Sequence, residues 1–236
     1  KVAEDHYKAY VLETEIEIEN YLSFFGISPD KANGIISELT ATPTDLQSLI
    51  DGYLRSLTGT FPSTNLLSNA AREMYFNVSR ENEQVAVSSP DSAITSWFDT
   101  EYALFMAVEK QLYSPELTTP FQDVEKLVGF ANTVLNRRKS RAGKSLENHL
   151  AKIFDINTLP YSAQKNTEGN KKPDFIIPSI ELYHDSSYSA DRLVFLGAKT
   201  TCKDRWRQVL NEAARTPHKH LFTLQQGISP NQLQEM

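Results

Sequence analysis

Residues 171–212 constrain this chain more than any other stretch. Lys171-Lys172-Pro173-Asp174-Phe175-Ile176-Ile177 reads as a turn running into a strand, with an acid at its mouth. Arg192-Leu193-Val194-Phe195-Leu196-Gly197-Ala198-Lys199 reads as a second strand that ends on a lysine. Thr200 to Glu212 reads as a turn and a helix. Alternate residues of a strand share a face. Phe195, Gly197 and Lys199 therefore point one way and Val194, Leu196 and Ala198 the other. On the helix expected over 204–215, Trp206, Val209, Leu210 and Ala213 form an apolar stripe, and Arg205, Gln208 and Glu212 line the adjoining polar face.

An acid, a lysine and a second acid gathered on a sheet edge are the parts of a magnesium-dependent nuclease. The usual pattern puts the second carboxylate two residues before the lysine, on its own face. That position is Gly197, so the slot is empty. Glu212 is the candidate replacement, since seven residues of helix from Arg205 span roughly 10 Å. Lys203, Asp204 and Arg205 offer two cations and an acceptor at a helix start. A cation can read the guanine edge and a carboxylate the cytosine amino group. Asp204 also suits a plain N-cap.

The net charge of −6 hides an asymmetry. Through Pro120 there are 7 Lys and Arg against 18 Asp and Glu; from Phe121 onward there are 17 against 12. A polyanion would meet mainly the second half. Arg137, Arg138, Lys139, Arg141 and Lys144 fall within eight positions with no acid before Glu147. The segment reads as a basic loop between helices over 121–135 and 145–156. It serves either as solvated surface or as phosphate contact, where each neutralised phosphate adds salt-sensitive affinity. Glu147 falls in the first turn of the second helix, where a carboxylate suits the dipole. On the first helix Val124, Leu127, Val128 and Ala131 share one side.

The first half reads as mainly helical, with helices over 5–25, 30–39, 44–57, 64–77 and 91–113. Val85-Ala86-Val87 reads as a short strand, and Pro115 and Pro120 mark a linker. The expected division is 1–120, a helical region for dimerisation or DNA contact, and 121–236, a nuclease core. No run approaches the roughly 18 apolar residues a membrane span needs. A single cysteine, Cys202, allows no intrachain disulfide, so a reducing cytoplasm is the expected setting. The chain opens on Lys1 rather than Met, which leaves a longer natural chain as an expectation.

Four segments together carry a family resemblance: Lys171 to Phe175, Ala198 to Gln208 with Asn211-Glu212-Ala213, Asn136 to Glu147, and Leu221 to Gln225. The chain resembles, best over about 94–236, the EcoRII/SsoII/PspGI-type restriction endonucleases of the PD-(D/E)XK superfamily. The resemblance implies an α/β fold, a restriction endonuclease-like mixed sheet flanked by helices. It implies a type II restriction endonuclease cutting double-stranded DNA at a CCNGG or CCWGG-like site, as a homodimer in a bacterial or archaeal cytoplasm, with Mg2+ and no nucleotide cofactor. In that family the displaced acid comes from the helix after the lysine strand. Asp174 and Glu212, with the Ala198 carbonyl, would bind magnesium; Lys199 would be the catalytic lysine and Glu147 a supporting acid. Lys203, Asp204 and Arg205 would read C·G pairs, and Arg137, Arg138, Lys139, Arg141 and Lys144 would contact DNA. The family also flips its central nucleotides onto an aromatic paired with an arginine. Arg72 with Phe76 has the right chemistry and spacing, and Tyr102 lies in a Glu-Tyr-x-x-Phe segment that aligns with the family. The alternative is a non-cleaving, sequence-specific DNA-binding protein on the same fold, in which the empty slot at Gly197 is a true loss.

Overall fold

The computed structural model describes residues 43–201, 206–225 and Gln234. The expected helices over 5–25 and 30–39 lie outside them, as do Lys203, Asp204 and Arg205.

Helices dominate the first part. α1 (Pro43–Arg55), α2 (Thr64–Ser79) and α4 (Pro90–Thr118) pack through Ile50, Leu67, Met74, Leu104, Phe105 and Val108. The Ser63 hydroxyl caps α2 by accepting the Leu66 N–H, which satisfies a donor the first turn leaves free. Val85–Ser88 is a single helical turn, α3, and not a strand. Asn82 Oδ1 accepts the Gln84 N–H at its entry, and Ala86 is fully buried against the helical core. Three residues of β-propensity are too few to outweigh that packing. Pro115 sits within the last turn of α4 and not in a linker.

α5 runs unbroken from Val124 to Ile156, so the expected basic loop does not exist. Arginine and lysine are good helix formers, and Gly143 alone costs only about 1 kcal/mol. Ion pairs to α4 hold the segment in register. Arg138 makes a bidentate contact with Glu109, and Arg141 Nη1 lies 3.5 Å from Glu101 Oε1. Glu147 is consequently mid-helix, and the helix dipole does not explain it. The first turns of α5 leave Val124, Leu127 and Val128 exposed.

The described strands form one mixed sheet, ordered β1 (Ser162–Ala163), β2 (Phe175–Ile177), β3 (Val194–Ala198), β4 (Lys219–Phe222). β1, β2 and β3 pair antiparallel; β3 and β4 pair parallel. Strand alternation holds. Phe175, Leu196 and Ala198 face α4 and α5 through Trp97, Phe98, Leu146, Leu150 and Ile153. Ile176 and Phe195 face the other way, onto Ile180 and Tyr183 of α6 (Ile180–His184) and Val209 of α7 (Trp206–Leu210). A mixed sheet flanked by helices, behind a mainly helical N-terminal region, is thus the observed architecture.

Candidate active site

Asp174 stands immediately before β2 and is buried. Its Oδ2 accepts the Ala198 N–H at 2.8 Å and the Lys199 ammonium at 2.6 Å. Lys199 directly follows β3, and its own N–H bonds the Phe222 carbonyl of β4. The antiparallel pairing of β2 with β3 therefore builds the acid–lysine pair, because each side chain leaves a strand end that the ladder fixes. Charge-assisted contacts of this kind are short and strong.

Gln164 was not singled out by the sequence. It follows β1 in a left-handed conformation, φ 54°. Its amide nitrogen lies 3.0 Å from Asp174 Oδ1 and 3.0 Å from Glu147 Oε2, bridging the two carboxylates. Glu147 Oε2 also accepts from Lys144 at 2.7 Å. Its left-handed backbone accompanies these contacts, and no residue pattern announces it.

Gly197 is where helix and strand touch. A Cβ there would lie 2.8 Å from Val209 Cγ2. Val209 is buried, and a β-branched side chain has little rotamer freedom to yield. The slot that a second strand carboxylate would occupy is filled by α7. Gly197→Ala should therefore lower stability by about 1–3 kcal/mol through overpacking. Thermal melts of the two proteins check this, and equal midpoints would show that α7 does not press on β3.

The same close approach brings in Glu212. α7 ends at Leu210, earlier than the helix expected over 204–215, so Glu212 lies in the turn that follows. Leu210 is half-exposed and not part of the buried stripe; Val209 and Ala213 are buried. Ala213 takes a left-handed φ of 49°. Burial pushes the Glu212 carboxyl up; the neighbouring Asp174 charge pushes the same way, and Lys199, Lys171 and Lys219 oppose it. Asp174, Lys199 and Glu212 thus share one electrostatic site, flanked by Glu147.

The donor set suits a hard divalent cation, which takes oxygen ligands. Gln164 uses one of the two acceptor positions of Asp174 Oδ1, leaving the other. The Asp174 charge that helps raise the Glu212 carboxyl favours a cation shared between the two. Among the described residues, no three His, Cys, Asp or Glu side chains form a metal-binding group by themselves. Magnesium commonly uses one or two carboxylates, completing its shell with water and substrate phosphate.

The other expected site residues scatter. Arg72 and Phe76 line one hollow of about 440 Å3 on α2, together with Asn69, Glu73, Glu83 and Lys152. Arg72 Nη1 bonds His149 Nδ1 at 2.9 Å. Phe76 meets Trp97 edge-on, 5.8 Å between ring centres. Tyr102 lies elsewhere, partly buried beside Arg141. Arg137 lies over the Phe61 ring at 4.4 Å, and Lys144 is exposed and paired with Glu147. Lys139, on the same helix, is exposed. Arg141 is the departure: it is 3 % exposed, enclosed by Phe98, Tyr102 and Phe105, and does not face solvent.

The model of the EcoRII C-terminal family matches residues 105–236, more than half of the chain. The chain belongs to the EcoRII C-terminal family. Among its relatives, the type II restriction enzyme EcoRII of Escherichia coli is 48% identical over 148 residues, covering 62% of this chain and 37% of that one. The chain thus spans well under half of that relative. Solved structures of restriction endonucleases share the fold. The metal-depleted Ecl18kI complex with uncleaved DNA gives a TM-score of 0.60 at 20% identity, covering 82% of this chain and 71% of that one. The PspGI complex with substrate DNA gives 0.51 at 21%, covering 66% and 62%. The architecture of this EcoRII C-terminal family member is therefore that of restriction endonucleases. No helix among its described residues is long and apolar enough to cross a membrane.

Proposed function

We propose that the chain is a type II restriction endonuclease that hydrolyses phosphodiester bonds of double-stranded DNA at a CCNGG or CCWGG-like site. The observation that carries this is the Asp174–Lys199 contact at 2.6 Å, with Glu212 close enough to feel both charges and Glu147 tied in through Gln164. Asp174, Glu212 and the Ala198 carbonyl would hold magnesium, which when bound polarises a phosphate oxygen and makes water a better nucleophile. Lys199 donates toward charge developing on the phosphate, from an ammonium that Asp174 keeps oriented. Gln164 keeps Asp174 and Glu147 in fixed relation while the nucleophile approaches. Arg137, Lys139 and Lys144 supply phosphate contacts. Lys203, Asp204 and Arg205 read C·G pairs in the major groove. Arg72 and Phe76 receive an extruded central base, which the hollow they share supports.

A homodimer suits a near-palindromic site, one active centre per strand. The exposed apolar side of α5 and the helical region to about residue 120 are its proposed contacts, ahead of a nuclease core from 121. Incubation with a sequenced plasmid and magnesium tests the reading: discrete fragments whose ends map to one short sequence are expected. Binding to that sequence without any cutting would favour the non-cleaving alternative.

A further inference from the structure

The turn that carries Glu212 is irregular. It leaves α7 at Leu210, passes through Glu212, and turns left-handed at Ala213, a conformation that costs a non-glycine residue energy and persists only where the surroundings hold it. Two lysines hold it from opposite sides. The Lys171 ammonium donates to the Asn211 carbonyl, one residue before Glu212. The Lys219 ammonium donates to the Ala213 carbonyl, one residue after it, and to Thr216 Oγ1 at 2.9 Å. Lys171 lies in the turn leading to Asp174 and β2. Lys219 opens β4, where it pairs with Phe195 of β3 and sits 5.3 Å over that ring. Elements adjoining Asp174 and β3 thus grip the backbone on both sides of Glu212.

We propose that Lys171 and Lys219 are positioning residues, a two-sided clamp that fixes the Glu212 carboxylate relative to Asp174. The proposal rests on the reading of Glu212 as a metal-binding acid. The clamp explains how an acid outside the strand ladder is held to the tolerance a metal site demands: a supporting residue left loose costs roughly 10–100-fold in metal affinity or activity.

Sign separates the clamp from simple electrostatics. Removing a positive charge beside a cation site should tighten cation binding, whereas loosening the turn should weaken it. The probe is calcium, titrated calorimetrically into the full chain bound to its mapped duplex. Lys219→Met is expected to weaken calcium binding about 10–100-fold, with Lys219→Arg close to the parent and metal-free duplex affinity unchanged. Lys171→Met is the second variant; Lys171 is exposed, so its loss leaves the core intact, and a weakening of the same sign is expected. Calcium binding as tight as, or tighter than, the parent in both methionine variants would overturn the clamp. Glu212→Gln in the same titration separates the two ideas. If it loses calcium while both lysine variants keep it, the clamp alone fails. If it binds calcium as the parent does, the metal-binding reading of Glu212 fails and the clamp with it.

Discussion

Glu101→Ala is expected to destabilise the protein by about 3–5 kcal/mol, the cost of leaving a buried charge without its partner. Glu101 is fully buried on α4. Its Oε2 accepts the Ser68 hydroxyl at 2.6 Å and lies 3.1 Å from His149 Nε2, while Oε1 lies 3.5 Å from Arg141. Burial pushes the Glu101 carboxyl up, but the contacts from His149, Arg141 and Ser68 outweigh it and leave it below the usual range. His149 Nδ1 meets Arg72, which can only donate, so the ring proton lies on Nε2, facing Glu101. Burial pushes that imidazole's pKa down, against the pull of Glu101. Truncation would strand the Arg141 guanidinium among aromatic rings. For a chain of this size each kcal/mol shifts the melting midpoint by about 2–4 °C, so a drop of roughly 10 °C is the expected reading.

The same network sets a pH dependence. A histidine whose folded pKa is depressed stays neutral while the unfolded chain takes up a proton, so stability declines as pH falls below about 6.5. The depressed Glu101 extends the decline: its contribution is present above the unfolded carboxyl value of about 4.3 and is lost as pH falls through its lower folded value. Both act in one direction, toward acid lability.

How much of this was legible varies with the residue. Asp174 and Lys199 were, because strand alternation and the antiparallel ladder leave little freedom where strands end. The empty position at Gly197 was legible as an absence, but its cause was not: the Val209 contact depends on how closely α7 approaches β3. Glu212 reads as helical from the sequence because neither glycine nor proline marks the break. The left-handed residue is Ala213, which local propensity does not flag. The basic run at 137–144 read as a loop because charge suggested solvent, yet Arg138 and Arg141 turn toward acids of α4. A signal for that burial did exist. Glu101 falls on the stripe of Ile94, Trp97, Phe98, Leu104, Phe105 and Val108, and His149 on that of Ala142, Leu146, Leu150 and Ile153. A charged residue inside an apolar period marks either a solvated face or a buried partner, and only the opposing helix decides which.

In the proposed function, the turn after α7 supplies the acid that β3 cannot carry. Glu212→Gln keeps the shape and removes the charge. A metal ion contributes several kcal/mol of transition-state stabilisation, so the loss is expected to slow cleavage by about 10^3-fold. The metal-free protein should respond in the opposite sense. A carboxyl whose folded pKa is raised adds stability at low pH and loses it as pH rises through the folded value. Glutamine should therefore raise the melting midpoint at neutral pH, by an amount that shrinks on acidification. The most direct measurement is single-turnover cleavage of the mapped duplex in magnesium by Glu212→Gln beside the parent. The expected result is the slow rate with metal-free duplex binding intact; a cleavage rate equal to the parent's would contradict the account.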